Sequence, residues 1–200
     1  FITDQSLKID LKPEYESIKS DADVTPFLDA RLDSEYTAKN IYLQMIYQAK
    51  ESILITTPYL ILDYEMSSAL KFAAKSGVKI DIIMPYTPDK RTVFMVSESY
   101  AKELSKHEIN IYKYKPGFIH QKMIVVDDNQ ALLGTINLDF RSLYLHFENS
   151  IYLKDDLEIK KMRSHFKDLI NVSIRLEDDK KHHLIYKLIQ VFLKGFSSIL

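Results

Sequence analysis

Between Ile119 and Asp127 the chain reads Ile-His-Gln-Lys-Met-Ile-Val-Val-Asp, a histidine and a lysine two residues apart leading into an apolar run. Alternate side chains of a strand share a face and lie about 6.6–7 Å apart. Extended backbone over Ile119–Val126 therefore points His120 and Lys122 the same way, with room for a phosphate between them. Imidazole serves as nucleophile or proton donor near neutral pH, and a lysine ammonium neutralises a non-bridging oxygen. A few residues on, Gly134-Thr135-Ile136-Asn137 sets a hydroxyl and an amide at the same two-residue spacing, as donors for the remaining phosphate oxygens. Glu148 opens a further β-like run. A carboxylate there can accept a hydrogen bond from one ring nitrogen of His120 and leave the other nitrogen reactive. Singly, each feature is ordinary: His-x-Lys suits a solvated strand face, Asp127 a turn, Thr135 and Asn137 a loop. Their conjunction in one short window points to phosphodiester chemistry.

These groups must be carried by a scaffold, and the bulk numbers say what kind. Two hundred residues, 46% hydrophobic, fit one medium domain with a sizeable core. The 27 Lys+Arg nearly cancel the 28 Asp+Glu, which argues against a dedicated nucleic-acid binder. With no cysteine there are no disulfides, thiolate zinc sites or cysteine nucleophiles. No apolar stretch reaches the 18 residues of a spanning helix. Phe1 stands where an initiator methionine would, without a signal-peptide pattern, so the expectation is a piece of a longer protein.

Residues 1–35, polar and broken by Pro13 and Pro26, read as a connector or arm. Tyr36–Lys50 carries Ile41, Met45, Ile46 and Ala49 at helical spacing. Ser52–Thr57 is a β-branched run stopped by Pro58. Asp63 is placed to cap a helix that runs to Ser76, with Gly77 at a left-handed end. A strand over Val78–Met84, a helix over Arg91–Lys106 and a strand over Glu108–Tyr114 continue the alternation. Past Gly117, Ile119–Val126, Ala131–Gly134 and Phe147–Leu153 are three β-like runs, the first two joined by a tight turn at Asp127-Asp128-Asn129. Leu157–Val172 is helical in pattern. The expected class is α/β, a mixed β-sheet flanked by helices.

With those residues in view, HQKMIVVD (120–127) followed by GTINLDFRS (134–142) resembles the HxKxxxxD…G[S/T]xN signature of the phospholipase D superfamily. TPYLILD (57–63), MPYTPDKR (84–91), YKPGFIHQKM (114–123) and GTINLDFRSLYLHFENSIYL (134–153) are similar to the second half of bacterial cardiolipin synthases. The likeness runs from Val24 to Val172. It implies a catalytic half-domain over 24–172, a connector over 1–23, and a separate C-terminal segment over 173–200. It implies that two such halves share one cleft; only one HxKxxxxD copy occurs here, so the partner is an absent N-terminal half or a second copy. His120, Lys122, Thr135 and Asn137 are then phosphate-pocket residues, Glu148 orients the histidine, and Asp127 is the motif aspartate, mainly structural. Thr135 replaces the more usual serine and keeps the hydroxyl. The implied substrate is phosphatidylglycerol or another anionic phospholipid, at the cytoplasmic face of the cell membrane, without metal, cofactor or nucleic acid. One imidazole would carry a phosphatidyl group and the other, His120 by analogy, would move the protons. A homodimeric metal-independent phosphodiesterase or nuclease is the competing implication.

His146 lies near Glu148 in sequence and is expected at the surface or packed. His182 and His183 belong to a polar stretch read as solvated. Over His183–Leu200, Leu184, Ile185, Leu188, Ile189, Phe192, Leu193, Phe196 and Ile199 recur at helical spacing with Lys187, Gln190 and Lys194 opposite. That pattern fits a helix packed on its own domain or lying on a bilayer.

Overall fold

The computed structural model describes residues 23–29, 35–155, 157–179 and 184–195. In chain order the elements are β1 (Asp23–Asp29), α1 (Thr37–Gln48), β2 (Ser52–Thr56), α2 (Tyr64–Lys75), β3 (Lys79–Pro85), α3 (Arg91–Leu104), β4 (Asn110–Tyr114), β5 (Met123–Val126), β6 (Gln130–Gly134), α4 (Phe140–Tyr144), β7 (Glu148–Lys154), α5 (Leu157–Asn171), β8 (Ser173–Arg175) and α6 (Leu184–Lys194). The eight strands form one mixed sheet in the order β1-β7-β6-β5-β2-β3-β4-β8. β2, β3 and β4 run parallel, and every other pairing is antiparallel.

The near-continuous apolar sequence of β2, β3 and β5 follows from burial on both faces. Ile53 and Ile55 of β2, Ile80 and Ile82 of β3, and Ile124 and Val126 of β5 face one core, shared with Tyr42, Met45 and Ile46 of α1 and Met66 and Leu70 of α2. Their alternates Leu54, Ile83, Met123 and Val125 face a second core, closed by Ile159, Phe166 and Leu169 of α5. Each fully buried aliphatic side chain contributes about 1.5–3 kcal/mol. The helices therefore sandwich the sheet and fix its central strands. Asp63 caps α2 as expected, accepting from Met66 N at 2.7 Å. Gly77 ends it with φ at +93°.

Two edges depart from the sequence reading. β1 arises in a stretch read as a connector, pairing along β7 from Asp23 opposite Lys154 to Asp29 opposite Glu148. Its Pro26 is tolerated because β1 is an edge strand with only one neighbour. Asp29 then accepts from Ala38 N at 3.1 Å, tying β1 to the start of α1. At the far edge β8 pairs with β4, so the sheet does not stop at Val172. The segment 173–179 is part of the domain. Residues 1–22 and the His182–His183 stretch lie outside the described residues.

Candidate active site

β5, β6 and β7 form an antiparallel meander, so the start of β5, the end of β6 and the start of β7 meet at one rim of the sheet. Lys122 precedes β5, Thr135 follows β6, and Glu148 begins β7; Gly134 N donates to Lys122 O at 3.3 Å and Thr135 N to Asn149 O at 3.0 Å. Thr56, the last residue of β2, pairs with Met123 at the same rim. The loop after β2 closes over it: Leu60 bridges Leu138, and Thr57 Oγ1 accepts from Leu138 N at 3.2 Å. Gly134 is required there. A Cβ at this position would overlap Ser150 Oγ and the carbonyl of Asn149. Gly134→Ala is expected to destabilise the fold by about 1–3 kcal/mol, read as a lowered urea midpoint with unchanged slope; an unshifted midpoint would show that the strands separate at no cost.

His120 and Lys122 do not alternate along a strand, because only Met123–Val126 is β. Residues 115–122 form an irregular approach, and the two side chains differ in burial. His120 is exposed, its ring stacked on Phe118 with centroids 5.9 Å apart. Lys122 is buried, and its ammonium donates to His120 O at 2.8 Å. The lysine thus bears on the histidine through its backbone as well as by charge. Desolvation holds the His120 pKa below its usual value, the Lys122 charge lowers it further, and Asp89 opposes both. Desolvation also lowers Lys122, against the opposing charges of Glu148 and Asp139. His120 is therefore expected to titrate below 6.5 by NMR of the folded chain, and Lys122→Met should move that midpoint upward. A midpoint unchanged by the substitution would mean that the ammonium does not reach the ring.

Glu148 does not meet His120 as expected. It accepts a hydrogen bond from Thr135 Oγ1 and lies 3.5 Å from Nδ1 of His146. Among the described histidines, His146 is the one that it approaches. Asn137 donates through Nδ2 to Ser142 Oγ at 3.1 Å, leaving its Oδ1 buried without a partner. A half-turn of the amide would let the Ser142 hydroxyl donate to Oδ1 and put Nδ2, as a donor, in the buried position that Oδ1 holds. Asp139 caps α4 through Ser142 N at 2.8 Å, and burial raises its pKa, opposed in part by that hydrogen bond. Tyr59, Lys90, Asn137, Asp139, Arg141 and His146 line a small cleft at this rim.

Asp127 is the sequence candidate that the structure takes away from this rim. It follows the opposite end of β5, about 16 Å from Lys122 at the strand rise. Its carboxylate accepts from the backbone N–H groups of Lys50, Glu51 and Ser52 at 3.0, 2.9 and 2.9 Å. That is a bracing role, with no access to the cleft. Sequence reasoning missed Asp139 and underrated His146; the Asp-x-x-Ser spacing that caps α4 was the available signal for the first. His165, also followed two residues on by a lysine, sits on α5 with Nε2 3.3 Å from Gln121 Oε1.

Comparison with known proteins gives the same outline. Residues 42–170 match a family model described as "Cardiolipin synthase, PLD-like domain". The chain is 44% identical over 146 residues to cardiolipin synthase 2 of Bacillus anthracis, covering 73% of this chain and 28% of that protein. It is 36% identical over 192 residues to the cardiolipin synthase of Halalkalibacterium halodurans, covering 95% of this chain and 38% of that one. The chain thus spans well under half the length of these relatives. Among solved structures, the phospholipase D family member Nuc from Salmonella typhimurium superimposes with a TM-score of 0.64 at 20% identity, over 77% of this chain and 97% of that one.

Proposed function

The chain belongs to the cardiolipin synthase, phospholipase D-like domain family, and from that premise we propose that it is one catalytic half of a phosphatidyl transferase. The substrate is phosphatidylglycerol and the product cardiolipin. What supports this reading is that Lys122, Thr135 and Glu148 stand where β5, β6 and β7 share one rim of the sheet, with His120 two residues before Lys122, in a chain whose family model is described as cardiolipin synthase. The second imidazole comes from a paired half or a second copy, and the assembly works at the cytoplasmic face of the membrane.

One imidazole attacks phosphorus, forming a P–N bond as the P–O bond to glycerol breaks. The other gives its proton to the departing glycerol oxygen. It then takes the proton from a hydroxyl of a second phosphatidylglycerol, whose oxygen displaces the histidine. By likeness to two-half members of the superfamily, His120 is the proton carrier. Desolvation and the Lys122 charge lower its pKa, and an anionic phosphodiester beside it would raise its proton affinity as substrate arrives. Lys122 and the amide of Asn137 stabilise the developing charge. Glu148 acts through Thr135 and His146.

The test supplies phosphatidylglycerol to this chain paired with its missing half. Cardiolipin and glycerol should form in equal amounts; conversion to phosphatidic acid alone would make the protein a hydrolase. A second reading, a phosphodiesterase built from two copies of one short chain, draws on the Nuc match, where 97% of the solved chain is covered. The near balance of 27 basic and 28 acidic residues weighs against a polyanionic substrate.

A further inference from the structure

The pattern of α6 fits an apolar side packed on the domain or one turned to a bilayer, and the structure turns Leu188, Ile189 and Phe192 away from the domain. Gln190 is only 4% exposed. Its Nε2 donates to Met95 O and to Glu98 Oε2, both at 3.0 Å. Tyr186 donates to Glu98 at 3.1 Å, while Lys194 pairs with Glu103 and stands 4.2 Å over the Tyr100 ring. Leu188, Ile189 and Phe192, on the opposite side, are 63%, 44% and 67% exposed.

The cause lies beneath the helix. Glu98 of α3 and Lys113 of β4 form an ion pair sealed in the domain. A buried carboxylate demands further hydrogen-bond donors, because leaving one unmet costs more than a neutral group does. Lys102 supplies one from α3 itself, and Tyr186 and Gln190 supply others from α6. A helix fastened by these polar residues turns Leu188, Ile189 and Phe192 outward. Its eleven residues extend about 16 Å, too short to cross a bilayer and long enough to lie along one. From Lys180 to Gly195 the sequence holds no Asp or Glu, and beside Lys194, whose charge Glu103 takes, it holds Lys180, Lys181 and Lys187. An apolar face within an acid-free, lysine-bearing segment is complementary to an anionic lipid surface.

We propose that the outward face of α6 seats the protein on anionic phospholipid, with Leu188, Ile189 and Phe192 inserted at the headgroup–acyl boundary. The proposal draws on the lipid-substrate reading only in expecting the membrane to be anionic. The chain has no tryptophan, so Phe192→Trp gives a single reporter. With vesicles containing phosphatidylglycerol, its emission should shift to the blue and be quenched by acyl-brominated lipid. Vesicles of phosphatidylcholine alone should bind more weakly. The double substitution Leu188→Ser/Ile189→Ser, at exposed positions, should weaken partitioning by about tenfold or more without lowering the thermal midpoint. An unshifted reporter, or equal partitioning by the double variant, overturns the proposal. So does self-association without lipid binding that the double variant abolishes, because a second copy would then cover the face. With the chain paired with its missing half, vesicle binding without cardiolipin formation leaves the seat standing and sinks the transferase reading; cardiolipin formation without vesicle binding through α6 does the opposite.

Discussion

His120→Ala, made in the protein that carries both halves, is expected to lower kcat for phosphatidyl transfer by about 10⁴-fold, with KM changed little. Positioned proton transfer supplies roughly 10²–10⁴-fold, and a residue that works as a unit with others takes most of their effect with it when removed. The ring is exposed and stacked on Phe118 rather than locked in the core, so the substitution leaves the fold in place. A leaving-group comparison separates the two histidine roles. A p-nitrophenyl phosphodiester departs without a proton, so an enzyme lacking only its acid should recover much of the lost rate on that substrate. An enzyme lacking its nucleophile should be equally dead on both. Residual transfer near a tenth of wild type would remove His120 from the chemistry.

Asp127→Ala should give the largest loss of stability among the motif residues, about 2–4 kcal/mol. Hydrogen bonds to a charged acceptor are worth about 1.5–3 kcal/mol each, less where the donors face water. Lys50 and Glu51 are exposed and Ser52 is buried, so the three bonds fall short of their full sum. The turn adds to the cost. Asp127 adopts φ of +50°, a left-handed conformation that Asp and Asn tolerate better than Ala. Its carbonyl also accepts from Arg163 Nη1 at 2.6 Å, and the same nitrogen donates to Ser52 Oγ at 2.8 Å. Asp127→Asn keeps an acceptor and the turn, and should lose about half as much. Urea unfolding measures both variants, and activity per folded molecule should survive. If Asp127→Ala unfolds at the wild-type midpoint but fails to turn over, the aspartate belongs to the chemistry after all.

Periodicity made the central strands legible before any coordinates. Ile53–Ile55 and Ile82–Met84, the inner parts of β2 and β3, are apolar because both faces are covered, and caps such as Asp63 and Gly77 mark helix ends by local chemistry. The candidate cluster was legible as a set of residue types, since the two-residue spacings survive into the rim. Their partners were not. Glu148 is drawn to Thr135 and His146 by the register of β6 on β7, a long-range property that no local pattern encodes. β1 was hidden because Asp-Val-Thr-Pro-Phe-Leu-Asp neither alternates nor avoids proline, as an edge strand need not. The pattern of α6 left its orientation open, and the contacts of Tyr186 and Gln190 with Glu98 on α3, which decide it, are long-range.

The meander that gathers the reactive groups at one rim puts the Asp127 brace at the other. Loops after β2, β4 and β6 can lengthen or change composition without touching the residues that hold β5 against the turn before β2. The sheet thus has a plastic rim and a rigid one, and the first can be redrawn around a different ligand while the second keeps the scaffold folded.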